Sequence, residues 1–388
     1  MRGAKCYSFI PMLRLKTIDA HAAGEPLRLI VDGFPSPRGK TMLEKRAWVS
    51  RHVDHLRRAL MLEPRGHADM YGAILTEPVT PGSHAGVLFM HNEGYSTMCG
   101  HGVIAVTTIA LERGLIMPGQ DADAVVYDSP AGTIRARARW RGEAGLPTDL
   151  SAAAPGAKVE ARSAKVGGAG LPTEAPSAQV GGAGQTTAAA RVAGVSFVNV
   201  PSFVLHGGLS VKLASRQIRA DVAFGGAFYA IVDSEAVGLP IDAAHLPELR
   251  RVGMEIKDAI ESVHEITHPL ERGLHGIYGT IFTGPPSDEG ADLRNVTVFA
   301  DAEVDRSPCG TGTAAVMAVV EAMGLLSDTK PFVHESLIGT RFTGRVSART
   351  VVGELEAIVP EIEGSAWITG EHTFLVDDDD PLKNGFRI

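Results

Sequence analysis

An internal repeat is the feature that most constrains this chain of 388 residues. Residues 99–106, CGHGVIAV, return at residues 309–316 as CGTGTAAV, and the offset of 210 holds without a gap to Gly114 and Gly324. In each copy a Cys-Gly-X-Gly turn opens a run of small and apolar residues, which is typical of a buried helix. The repeat therefore predicts two similar halves, each containing a helix that begins at a cysteine.

A cysteine at the start of a helix is well placed for acid–base chemistry. Unpaired N–H groups and the positive end of the helix dipole favour an anion there, so we expect the pKa of Cys99 and of Cys309 to be lowered. Two such turns facing each other would hold one carboxylate between two thiols. One thiolate would remove the α-proton of an amino acid while the opposite thiol delivers a proton, and this inversion requires neither pyridoxal nor a metal.

Other interpretations of the two cysteines explain less. A single Cys-Gly-X-Gly turn would be taken as an ordinary helix start, but two cysteines in the same register disfavour that interpretation. His101 lies two residues from Cys99, yet no second Cys/His pair has zinc spacing, so a metal site is disfavoured. A Cys–His hydrolase would leave the second cysteine unexplained. With Cys6, the three cysteines do not form a disulfide framework.

The composition favours a soluble protein with a small-molecule partner. Apolar content of 44% and charged content of 21% are ordinary for a globular chain. The formal charge of −8 provides no basic surface for nucleic acid. No run approaches the roughly 20 apolar residues that cross a bilayer, and residues 1–14 lack the pattern of a secretory signal. We therefore expect a cytoplasmic protein that binds neither nucleic acid nor membrane.

The pattern along the chain predicts the following division. Residues 1–11 are a leader, either disordered or a start-site artefact; residues 12–205 form the first half, residues 206–370 the second, and residues 371–388 a C-terminal segment that closes the fold. Residues 141–190 are a low-complexity insertion rich in Ala, Gly, Pro and Ser, which bury too little surface to order. Helical spacing predicts helices at 41–62 and 249–263, and period-2 alternation predicts a strand at 133–139.

The residues around both cysteines resemble the proline racemase family. The matching segments are 19–26 (DAHAAGEP), 63–67 (EPRGH), 98–102 (MCGHG), 200–203 (VPSF), 225–228 (GGAF) and 305–313 (DRSPCGTGT). The resemblance covers nearly everything from Leu13 onward except the insertion. It implies an α/β (α+β) fold like that of diaminopimelate epimerase, in which two pseudosymmetric halves wrap strands around central helices and the active site lies between them.

The same resemblance implies roles for individual residues. Cys99 and Cys309 would be the acid/base pair, and Asp305 would accept from the ring amine of the substrate. The carboxylate would be bound by backbone N–H groups of Gly100, His101, Gly310 and Thr311. The pyrrolidine ring would be walled by Tyr71 and Phe299, and the alternative for both is an ordinary aromatic residue of the core. The Tyr71 hydroxyl would suit a ring hydroxyl. The resemblance also implies a homodimer, and the two-cysteine mechanism leads us to expect neither a cofactor nor a metal.

Two reactions are consistent with these residues. Cys309 favours inversion of the α-carbon of proline or a hydroxyproline, since relatives that dehydrate trans-3-hydroxy-L-proline typically have Thr there. The surrounding motifs at 63–72 (EPRGHADMYG), 91–95 (HNEGY) and 274–280 (LHGIYGT) are closer to those dehydratases. We expect an epimerase because Cys309 would perform the step, and keep the dehydratase as the alternative.

Overall fold

A computed structural model describes most of the chain. The described residues are 12–117, 124–141, 191–214, 216–287 and 289–388. The predicted leader at 1–11 and residues 142–190 of the predicted insertion lie outside them.

The first set of elements runs from β1 to β9. It consists of β1 (Leu13–Ala22), β2 (Glu25–Asp32), α1 (Met42–His52), α2 (Asp54–Met61), β3 (Tyr71–Thr76), β4 (Ala85–His91), β5 (Tyr95–Ser96), α3 (Gly100–Glu112), β6 (Val125–Ser129), β7 (Gly132–Arg141), β8 (Arg191–Val198) and β9 (Ser202–Lys212).

The second set follows the same order. It consists of β10 (Gln217–Phe224), β11 (Phe228–Asp233), α4 (Leu246–Glu261), β12 (Ile277–Gly284), β13 (Leu293–Phe299), β14 (Glu303–Asp305), α5 (Gly310–Ala322), β15 (Phe332–Glu335), β16 (Arg341–Val352), β17 (Leu355–Gly364) and β18 (Ala366–Val376).

Strand pairing repeats between the two sets. β1 and β2 are antiparallel, β2 and β3 parallel, β3 and β4 antiparallel, β4 and β6 parallel, and β6 and β7 antiparallel. β10 to β16 reproduce that series, with β11–β12 and β13–β15 as the parallel pairs. The predicted α/β (α+β) fold with two pseudosymmetric halves is therefore confirmed.

The final strand of each set pairs with the first strand of the other set. β9 is antiparallel to β10, and β18 is antiparallel to β1, from Leu13 opposite Val376 to Ala22 opposite Ala366. The predicted boundary after residue 205 falls inside β9, and that after residue 370 falls inside β18. The division into two halves at those residues stays a prediction.

Two buried helices carry the repeated cysteine motif. Every residue of α3 from Gly100 to Ala110 is buried, as is every residue of α5 from Gly310 to Val319. A helix that is apolar on all sides belongs in a core. The helices end at equivalent glycines, Gly114 and Gly324, whose φ angles of 63° and 70° are the left-handed conformation that closes a helix.

Helix α4 and strand β7 lie where the sequence predicts them. The predicted helix at 41–62 is two helices, because the backbone leaves the helical region at Val53, with φ −135° and ψ 19°. Periodicity continues across that break, so the sequence pattern does not reveal it. Among the described residues, no helix has both the length and the apolar character to span a membrane.

Candidate active site

The N-termini of α3 and α5 meet at two glycines. A Cβ atom built on Gly100 would lie 2.4 Å from the Cα of Gly310, and one built on Gly310 would lie 2.5 Å from the Cα of Gly100. Contacts this short exclude any side chain at either position. The glycines therefore let the positive ends of two helix dipoles converge on one small volume.

Replacing Gly310 with alanine is expected to separate the two helix starts. Because the added methyl meets backbone atoms, which do not move aside as a flexible side chain would, we expect the free energy of unfolding to fall by about 1–3 kcal/mol. Activity should fall with it. Urea unfolding followed by circular dichroism measures the first effect. Gly94→Ala is the control, since its Cβ would meet nothing within 4 Å, and equal stability losses in the two variants would contradict the prediction.

Each cysteine caps its helix with its thiol. The sulfur of Cys99 accepts the N–H of Gly102 at 3.2 Å, and that of Cys309 accepts the N–H of Gly312 at 3.3 Å. The cysteines are only 4% and 6% exposed. Both are therefore held inside the protein at equivalent places in the two halves.

The two thiols have different neighbours. The sulfur of Cys99 lies 3.2 Å from Nδ1 of His101, and that nitrogen lies 3.7 Å from Oδ2 of Asp305. The sulfur of Cys309 lies 3.6 Å from the Tyr229 hydroxyl, which hydrogen-bonds the Thr311 hydroxyl at 2.6 Å. His101 and Thr311 occupy equivalent positions of the repeat, so the two thiols have different side-chain neighbours. The backbone at the two cysteines also differs, since φ is −148° at Cys99 and 60° at Cys309.

Asp305 is a buried anion between the two halves. Its Oδ1 accepts the N–H of Ser307 at 2.8 Å and the Ser307 hydroxyl at 2.7 Å. Its Oδ2 is the atom that faces His101. Hydrogen bonds from the turn before α5 thus fix the carboxylate beside both thiols.

The predicted lowering of the thiol pKa values is wrong. Burial, followed by the Asp305 carboxylate, raises the pKa of Cys99 well above its ordinary value and raises that of Cys309 to about 12. Hydrogen bonds from Gly102 and Gly312 act in the opposite direction but are outweighed. The helix terminus by itself would lower a thiol pKa, but neither the depth of burial nor the nearby anion is visible in a local motif.

Aromatic rings form one wall of the site. Tyr71 packs edge-on against His101 and Phe299, with ring centroids 4.8 and 6.1 Å apart. Tyr278 stacks on Phe299 at 5.4 Å. The Tyr71 hydroxyl hydrogen-bonds the Ser96 hydroxyl at 2.6 Å and the Tyr278 hydroxyl at 3.2 Å, so the hydroxyl expected to meet substrate already has two protein partners.

The structure brings together all nine residues predicted for the site. Each is buried: Tyr71, Cys99, Gly100, His101, Phe299, Asp305, Cys309, Gly310 and Thr311. Their proximity agrees with the predicted roles, which stay predictions.

Several residues that border the site were not predicted from the sequence. They are His91, Ser96, Tyr229, Tyr278 and Glu303. Tyr278 also faces a cleft of about 460 Å³. The other residues that line this cleft include Arg46, His91, Ser96, Lys257 and Asp301. The signal for two of them was present, because His91 opens the HNEGY motif and Tyr278 lies in LHGIYGT. Both motifs line this cleft.

Comparison with known families agrees with this geometry. The model of the family described as proline racemase matches residues 17–170 and 159–387. The chain belongs to the proline racemase family. The predicted enzyme of the racemase and epimerase type is thereby confirmed.

Relatives within the family carry different names. A trans-3-hydroxy-L-proline dehydratase of Bacillus cereus is 44% identical over 372 residues, which cover 96% of this chain and 97% of the relative. A 3-hydroxyproline 2-epimerase of Burkholderia multivorans is 40% identical over 375 residues, covering 96% and 98%. A hydroxyproline epimerase from Agrobacterium vitis, crystallised with trans-4-hydroxy-L-proline, has a TM-score of 0.78 at 26% identity, with 97% and 96% covered.

Proposed function

We propose that this protein is a cofactor-independent epimerase that inverts the α-carbon of proline or a hydroxyproline, with Cys99 and Cys309 as its two bases. One observation carries the proposal: two buried thiols cap two equivalent helices whose N-termini touch at Gly100 and Gly310. This arrangement provides an acid/base group from each half and backbone donors between them.

The substrate carboxylate would lie at the junction of the two helix starts. The first N–H groups of a helix have no partner inside it, and they favour an anion. The protonated ring amine would lie at Asp305, and its positive charge would offset the Asp305 charge, which is one of the causes that raise the pKa of the thiols. Substrate binding would thus make one thiol easier to deprotonate at the moment when a base is needed.

The proton transfers then balance across the two halves. A thiolate on one side takes the α-proton, negative charge moves onto the carboxylate, and the helix N-termini stabilise it. The thiol on the other side gives its proton to the opposite face of the α-carbon. After the reaction, the cysteine that began as a thiolate is a thiol and the other cysteine is a thiolate. The enzyme is then ready to bind the mirror-image substrate.

Dehydration of trans-3-hydroxy-L-proline is the second candidate function. The names of relatives at 44% identity favour it, as does the position of HNEGY and LHGIYGT along the cleft. In that reaction one base removes the α-proton, the C3–O bond breaks and the leaving oxygen takes a proton to become water. The resulting enamine then tautomerises to a cyclic imine.

Proton NMR in D₂O distinguishes the two reactions. L-proline, trans-4-hydroxy-L-proline and trans-3-hydroxy-L-proline are supplied separately to the purified enzyme. We expect loss of the α-proton signal together with formation of the inverted isomer. Formation of an imine from the 3-hydroxy compound, without inversion of any substrate, would instead establish the dehydratase.

The assembly and the location of the enzyme are part of the same proposal. The family resemblance implies a homodimer, and the hydropathy pattern of the sequence predicts a cytoplasmic location. Sedimentation equilibrium of the purified protein tests the first of these, with twice the 40.9 kDa chain mass as the expected result.

A further inference from the structure

Glu303 is a buried carboxyl group without a hydrogen-bond partner. Its side chain is fully buried, and across the described part of the chain neither Oε1 nor Oε2 receives a hydrogen bond. Buried polar groups are nearly always satisfied, since an unmade hydrogen bond to a buried charged group is costly. A carboxyl group in this condition calls for a donor from outside the protein.

The neighbouring histidine does not satisfy it. Among the described residues, Nδ1 of His91 lies 3.6 Å from Oε1 of Glu303. That nitrogen accepts the backbone N–H of Glu93 at 3.3 Å, so it is used as an acceptor rather than as a donor. His91 therefore lies beside Glu303 but donates no hydrogen bond to either carboxyl oxygen of Glu303.

Strand register places Glu303 on the face that carries Asp305. The two residues are two apart in β14, so their side chains leave the same side of the strand, about 6.5–7 Å apart. Across the ladder, Glu303 is opposite Phe299 and Asp305 is opposite Thr297. Residues opposite each other in a ladder share a face. Phe299 in the aromatic wall, Asp305 as the proposed acceptor of the ring amine, and Glu303 therefore all lie on the same face of the sheet.

We propose that Glu303 accepts a hydrogen bond from the ring hydroxyl of the substrate and so selects hydroxyproline over proline. This inference rests on the proposed function, because it uses Asp305 as the site of the ring amine. With the amine at Asp305, the carbons of the ring that carry a hydroxyl extend along the same face toward Glu303. A five-membered ring with polar groups on both sides fits between two carboxylates so spaced.

The selectivity follows from whether the bound substrate donates a hydrogen bond to Glu303. A hydroxyproline supplies the missing donor, whereas proline leaves the buried carboxyl group unsatisfied. A site built to bond a hydroxyl discriminates strongly against an analogue that lacks it, because its own polar group then stays buried and unpaired. We expect the wild-type enzyme to bind hydroxyproline about tenfold to a hundredfold more tightly than proline.

The test measures binding and turnover separately. Titration calorimetry gives the Kd of L-proline, trans-3-hydroxy-L-proline and trans-4-hydroxy-L-proline for a Cys99→Ser, Cys309→Ser protein, in which the substrate is not consumed. The same titrations are repeated with Glu303→Leu added. We expect the preference for a hydroxyl to fall to about onefold, through weaker binding of hydroxyproline and unchanged or tighter binding of proline.

Two further variants separate recognition from a purely structural role. Glu93→Leu changes the equivalent carboxylate of the first half, which is exposed and bonded to Arg387, and it should leave the preference intact. His91→Gln removes the neighbour but keeps Glu303, and it should also retain most of the preference. Equal losses for proline and hydroxyproline in Glu303→Leu and His91→Gln would show that Glu303 only supports His91, and would overturn the proposal.

Failure of this inference is distinguishable from failure of the proposed function. Equal Kd values for proline and both hydroxyprolines in the parent protein would overturn the role of Glu303, even if the active enzyme inverts proline. Conversely, a hydroxyl preference that depends on Glu303 supports its role even if NMR shows dehydration rather than inversion.

Discussion

Replacing Cys309 with serine is expected to lower the rate of α-carbon inversion by about 10²–10⁴-fold, the usual contribution of one acid/base group. Each enantiomer needs both sulfurs in turn, one to take the proton and the other to give it. A serine hydroxyl is a far weaker acid than a thiol, yet it can still accept the N–H of Gly312 that Cys309 accepts. The loss should therefore reflect chemistry rather than folding.

The matched variant for this prediction is Cys99→Ser. The two cysteines are equivalent in the repeat and cap equivalent helices, so both variants should lose inversion to a similar extent. Chiral chromatography of the products measures the rate, and circular dichroism checks the fold. Normal inversion by Cys309→Ser would contradict the two-base mechanism, and imine formation by that variant from trans-3-hydroxy-L-proline would favour the dehydratase.

Replacing Asp305 with asparagine is expected to change two properties in opposite directions. Turnover should fall about a hundredfold or more, because the ring amine loses its charged partner in a buried site. Alkylation of the thiols by iodoacetamide should become faster at a fixed pH. The Asp305 carboxylate raises the pKa of Cys99 and Cys309, so removing its charge lowers both pKa values and increases the thiolate fraction.

The rate of thiol alkylation should be measured as a function of pH. In the wild type, the inflection for Cys309 is expected near its pKa of about 12, and in Asp305→Asn the profile should move to lower pH. Asp378→Asn removes a carboxylate that is 85% exposed, and it should shift neither the profile nor the turnover. A variant that loses turnover without any shift would show that Asp305 does not act on the thiols.

Local sequence was sufficient to predict the centre of the site. The 210-residue offset identified both cysteines and the helices that begin at them, since small residues and a Cys-Gly-X-Gly turn are local features. The backbone N–H groups of those turns were expected to bind a carboxylate, and in the structure the glycines of the two turns also contact each other. That contact depends on how two distant segments pack, and no local pattern records it.

The outer part of the site was harder to predict because its residues look like core. Tyr229 and Tyr278 lie in strands of ordinary apolar character, and only tertiary contacts connect them to the cysteines. Tyr229 contacts Cys309 and hydrogen-bonds Thr311, and Tyr278 hydrogen-bonds Tyr71. Glu303 differs in that its position is set by β14, a strand of three residues too short to show periodicity. The direction of the thiol pKa shifts was missed for the related reason that burial is a tertiary property.

The pairing of the last strand, β18, with the first strand, β1, also affects how the chain reaches its native state during synthesis. β1 is made first, but one of its two edges pairs with β18, more than 340 residues later. Until that strand leaves the ribosome, β1 presents a row of unpaired backbone groups, the kind of edge on which chains aggregate. The first half therefore completes its sheet only after nearly all of the second has been translated, and the enzyme becomes active as a whole rather than half by half.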